Sequence, residues 1–124
     1  MTRDKFINQA ISHYKELWLL SDWEVKWKYY KSLPPNDGVI NVLDYGLKQA
    51  EMGLPSRGPR KILETSIEHE LIHLVLWPEN RVFDPIVEKR VAPKMKEAIW
   101  DAYNRSQNEI IGALQRARES WGIK

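Results

Sequence analysis

The sequence predicts an α+β fold in which helices pack on a small mixed or antiparallel sheet. Three observations lead there. Apolar residues recur at helical spacing near the N-terminus, alternate with polar ones in a middle stretch that opens at Trp23, and return to helical spacing from Arg60 onward. With 124 residues, 43% hydrophobic and 29% charged, the chain reads as one globular domain able to bury a single core.

The elements follow in order. Phe6, Ile7, Ala10, Ile11, Tyr14, Leu17 and Trp18 share a helix face, so residues 3–20 read as an amphipathic helix that Ser21-Asp22 stops. Trp23 to Lys31 sets Trp23, Val25, Trp27 and Tyr29 against Glu24, Lys26 and Lys28, the period of a half-buried strand. Ser32 to Gly38 carries Pro, Asn, Asp and Gly and reads as a turn or loop. Val39 to Tyr45 is a second strand, and Leu47 to Met52 a weaker third with Gly46 as the hairpin point. Gly53 to Pro59 is loop, and a helix runs from Arg60 to Leu76, ahead of Pro78. Asp84 as N-cap and Pro85 at the first position open another helix, which Pro93 should kink or split. The last helix spans about Asn104 to Trp121, with Tyr103, Ile110, Ile111, Leu114 and Trp121 inward. The expected order is an N-terminal helix, two or three strands, a motif helix and two C-terminal helices.

Composition excludes several functions. There is no cysteine, hence no disulfide, no thiolate nucleophile and no cysteine-held zinc or iron–sulfur cluster. Nineteen basic against 17 acidic residues leave a net charge of +2, too small an excess to argue for nucleic acid. No stretch approaches the ~18 apolar residues of a membrane span. Asp4 and Glu16 bracket the apolar positions of the N-terminus and no small-residue cleavage site follows, so a cytoplasmic location is expected. Of the six tryptophans, Trp18, Trp23 and Trp27 are read as core packing.

The residues that carry chemistry are His69-Glu70-Leu71-Ile72-His73, an HExxH pattern inside a helix. At about 100° per residue, His69 and His73 lie about 40° apart, one turn along the axis, so both imidazoles reach one metal ion from the same side. Glu70 projects near His73, placed to contact a water on that metal and drive it into a peptide carbonyl. Shuffling the composition gives this pattern in about four of every thousand arrangements, so context decides its weight. Leu63, Ile67, Leu71 and Leu74 form a separate core stripe roughly opposite the two histidines, where satisfied core histidines would themselves have been expected. Two of the three histidines in the chain fall in this motif.

A catalytic zinc needs a third protein ligand and an open position. The candidates are Glu88, Asp84, Glu79, Glu97 and His13. Glu88 stands out because it shares a helix line with Val91, Ala92, Met95 and Ile99, and a carboxylate on a buried face is costly unless a cation or metal accompanies it. The bland alternative places Glu88 at the edge of that stripe, bonded to Arg81 or Arg90. His13 sits at the margin of the first helix's apolar face and reads as solvated.

Ser66-Ile67-Glu68-His69-Glu70-Leu71-Ile72-His73-Leu74-Val75 resembles the extended zincin signature, and Glu88 resembles the third ligand of gluzincin-type metallopeptidases. The chain as a whole is similar to small zinc-peptidase-like proteins of phages and bacteria, with an amphipathic first helix, a Trp-rich strand (Ser21-Asp22-Trp23-Glu24-Val25), a hairpin, the motif helix and a Glu-bearing helix. The resemblance implies a zincin-like minimal domain with one Zn2+ per chain on His69, His73 and Glu88. It further implies Glu70 as general base, later giving a proton to the leaving amine, and an edge strand within residues 39–52 that pairs with an extended peptide or protein substrate. Tyr45, Tyr103 and Arg81 are conceivable oxyanion donors. Two other readings share the motif: a non-catalytic zincin-fold interaction protein of phage or mobile-element origin, and a regulatory protease that cuts a single partner.

Overall fold

The chain runs α1 (Arg3–Leu17), β1 (Glu24–Tyr29), β2 (Val39–Asp44), β3 (Gln49–Leu54), α2 (Arg60–Val75) and, further on, α3 (Pro93–Ser120). The computed structural model describes residues 1–78, 87–89 and 92–122. Met1–Leu74 and Val75–Lys124 are two compact units.

In the first unit, α1 opens where the Thr2 hydroxyl accepts from the Lys5 N–H at 3.1 Å, with Asp4 in the first turn. It closes earlier than residue 20. Leu19 adopts φ 59°, and the N–H groups of Leu20 and Leu19 turn back to the carbonyls of Lys15 and Glu16. That is a Schellman stop, set by backbone geometry ahead of Ser21-Asp22.

The sheet has the order β1-β3-β2, with β1 parallel and β2 antiparallel to β3. The strand that reads weakest in the sequence is therefore the central one, and it reaches Leu54 rather than ending at Met52. Since β3 lies between its two predecessors, there is no β1–β2 hairpin: the segment 30–38 passes the end of β3, where the Tyr30 N–H donates to the Leu54 carbonyl at 2.8 Å. Gly53 is required there, because a Cβ would lie 2.7 Å from Val39 Cγ1 and 2.9 Å from Tyr30 Cε1.

Register lines up Val25, Ala50 and Val42, then Trp27, Met52 and Ile40 across the three strands. These residues join Ile7, Ile11 and Tyr14 of α1 and Leu63, Ile67, Leu71 and Leu74 of α2 in one hydrophobic cluster. Ile7, Met52, Leu54, Leu63, Ile67 and Leu71 are fully buried, each contributing about 1.5–3 kcal/mol of apolar burial. The opposite sheet face is polar, with Lys28 paired to Glu51 at 3.2 Å. The Trp18, Trp23 and Trp27 side chains all belong to this cluster or pack against it, as expected. Arg3 donates to the carbonyls of Pro55, Arg57 and Gly58 at 3.0–3.1 Å, fixing the short segment that leads into α2.

In the second unit Pro93 opens α3, a 28-residue helix, after an extended Ala92. Proline suits that first position because its missing N–H would have no helical partner there. The segment from Asn104 is the later part of this helix. Ile111 is buried, but Ile110 is 40% and Trp121 76% exposed, against the expectation that both face inward. Successive residues point about 100° apart, so Ile110 and Ile111 cannot share a narrow stripe, and Trp121 is the C-cap, beyond the last helical turn. The helix start expected at Asp84-Pro85 lies outside the described residues. No helix among the described residues is long and apolar enough to cross a membrane.

Candidate metal centre

The expected core stripe of α2 is the observed one: Leu63, Ile67, Leu71 and Leu74 are 2% exposed or less, while His69 and His73 on the other side are half-buried. One turn apart, the two imidazoles meet edge to face with ring centroids 5.1 Å apart. One ligand atom each from His69, Glu70 and His73 lies within 4.8 Å of the others. Two imidazoles and a neighbouring carboxylate are a group that could hold a metal ion.

Glu70 lies between the histidine side and the core side of α2, and it is only 6% exposed. Its Oε2 is buried with no hydrogen-bond partner among the described residues. Burial, and secondarily the charge of Asp37, pushes the carboxyl up to about 7 from an ordinary 4.5. A buried carboxyl with an unsatisfied oxygen beside two imidazoles fits a group whose partner is a cation or a water on one.

Part of Glu70's setting was not foreseen from the sequence. The loop before β2 lies against α2: the Ser66 hydroxyl donates to the Asn36 carbonyl at 3.4 Å, Asp37 acts on Glu70 electrostatically, and Gly38 faces the Glu70 stem. Pro34-Pro35-Asn36-Asp37-Gly38 announces a turn, but no local signal says which helix that turn will touch.

The other candidates fall as follows. Glu88 is in the second unit, in a helical segment at residues 87–89, with its side chain 60% exposed and Oε2 accepting from Lys96 Nζ at 3.2 Å. The expected buried face around it is not formed, since Met95 is 58% exposed. The reason is local: Ala92 is extended and Pro93 starts a new helix, so Glu88 and Met95 are not on one continuous helix line. Glu97 is also exposed in the second unit, on α3. His13 is exposed and stacks edge-on to Tyr14, in keeping with a solvated residue. Asp84, Glu79 and Arg81 lie outside the described residues. Of the conceivable oxyanion donors, Tyr45 packs on the first unit's core against Trp23, and the Tyr103 hydroxyl accepts from Gln107 at 2.7 Å in the second unit. No family model, curated protein or solved structure matches the chain.

Proposed function

We propose that the protein is a zinc-dependent metallopeptidase of zincin type, hydrolysing a peptide bond in a peptide or protein substrate in the cytoplasm. The observation that carries this reading is Glu70, a buried carboxyl with an unpartnered oxygen among the described residues, set beside the His69 and His73 imidazoles on one helix. His69 and His73 would hold the ion. Glu88 is the third ligand proposed, on the strength of the gluzincin resemblance alone.

When bound, zinc supplies Lewis acidity, polarising a carbonyl and acidifying a water. The rest belongs to Glu70. As a carboxylate it accepts a proton from the attacking water, and as the acid so formed it gives that proton to the departing amine. Without the ion, burial holds the carboxyl near 7; a bound cation beside it would favour the carboxylate, the form that accepts the proton. Its enclosure in the protein also keeps bulk water from competing for the same proton.

Strand pairing supplies a place for the substrate backbone. Of the segment proposed for this role, β3 has neighbours on both sides, while β2 borders only β3. An extended substrate would therefore pair with β2, Val39–Asp44.

The test is hydrolysis of a peptide library by the zinc-loaded protein and by Glu70→Gln. The variant should retain zinc and lose turnover; turnover that survives the change rules the mechanism out.

A further inference from the structure

Gly38 is the last residue before β2, and the loop that carries it is fastened to α2 by the Ser66–Asn36 hydrogen bond, one turn ahead of Glu70. A Cβ built on Gly38 would lie 3.1 Å from Glu70 Cγ and 3.6 Å from Cδ. The first distance is tighter than ordinary van der Waals contact, so the glutamate stem would have to yield. The backbone of Gly38 does not demand glycine: the glycines with positive φ among the described residues are Gly58 and Gly122. What a side chain at position 38 would crowd is therefore Glu70 itself.

We propose that Gly38 is a positioning residue for Glu70: its bare backbone leaves the space in which the Glu70 stem lies, and so fixes the direction in which the carboxylate projects from α2. The catalytic part of this inference rests on the peptidase reading; the steric part does not. Cγ is the pivot of the carboxylate, so a displacement of Cγ swings the oxygens. Misplacing a reacting group by about 1 Å can lower turnover about a hundredfold, and the few tenths of an ångström by which Glu70 must yield correspond to a smaller loss.

The test uses the full chain and the single substitution Gly38→Ala. The zinc-loaded variant should keep the zinc content of the unaltered protein, lower kcat about threefold to tenfold, and change KM less than about twofold. An unchanged kcat, or a loss of kcat that only follows a loss of zinc, overturns the catalytic part of the proposal.

A second arm needs no activity. Thermal unfolding of the metal-free protein is followed for Gly38→Ala, Glu70→Ala and the double variant. Gly38→Ala should lower Tm when Glu70 is present and leave it unchanged or raise it when the glutamate stem is gone. The same Tm shift in both backgrounds contradicts the placement. Coupling in Tm without hydrolysis by the unaltered protein upholds the placement of Glu70 by Gly38 and removes the peptidase reading instead.

Discussion

The indole N–H of Trp18 donates to Glu68 Oε2 at 2.9 Å, and Glu68, the residue before His69, is 1% exposed. One turn earlier the Tyr14 hydroxyl donates to Glu64 Oε1 at 2.7 Å. The C-terminal end of α1 thus holds two successive turns of α2 by their carboxylates, which fixes the rotation of α2 about its axis and with it the directions of His69 and His73. Trp18→Phe replaces the indole with a smaller aromatic ring and removes this N–H from a buried carboxylate. It should cost about 1–3 kcal/mol in urea denaturation, whereas an unchanged midpoint would show that the bond does not hold the helix.

Glu70 predicts an unusual pH dependence for the metal-free protein. Burial first, then Asp37, raises its carboxyl to about 7, so between the unfolded value near 4.5 and 7 the folded state binds the proton more tightly than the unfolded chain does. Its contribution to stability is therefore fully present below about 4.5 and declines as pH rises toward 7. At about 1.4 kcal/mol per pH unit, the cost above 7 is roughly 3 kcal/mol. Glu70→Gln should match the unaltered protein near pH 4 and exceed it in stability near pH 8. Equal stability at both pH values would show an ordinary, solvated carboxyl.

Two helix ends offer tests of the fold alone. Leu19 is 88% exposed at φ 59°, so its side chain gives little and its backbone is strained. Leu19→Gly should stabilise the protein by about 0.5–1 kcal/mol, the left-handed strain removed less the greater freedom glycine loses on folding. A loss of stability in the melting curve would mean that Leu19 makes contacts worth more than the strain.

Ala92 is the N-cap of α3 and makes no side-chain bond to the first turn, which also lacks an acidic residue. Ala92→Asp supplies both an acceptor and a charge at the positive end of the helix. A gain of about 0.5–2 kcal/mol is expected in chemical denaturation, and no gain would mean that this helix end needs no cap.

Much of the first unit was legible in the sequence because its signals are periodic. The α1 face, the alternation of β1 and the separation of the Leu63, Ile67, Leu71 and Leu74 stripe from the histidines all follow from which residues must share a side. The rank of the strands was not legible. Gln49-Ala50-Glu51-Met52-Gly53-Leu54 has low strand propensity, yet it takes the centre because small residues fit where neighbours close in from both sides, as Gly53 does between Val39 and Tyr30. The site divides the same way. His69, Glu70 and His73 are set by spacing within one helix. The approach of Asn36, Asp37 and Gly38 depends on a loop passing the end of β3, and Glu88 is exposed because the helix line that would bury it is broken at Ala92-Pro93.

Whether the His69 and His73 imidazoles hold a metal beside Glu70 is read from zinc per chain, by elemental mass spectrometry, for the protein and for His69→Ala. Near one zinc per chain is expected, lost in the variant. No zinc in the unaltered protein after reconstitution, or the same zinc content in both, would contradict it.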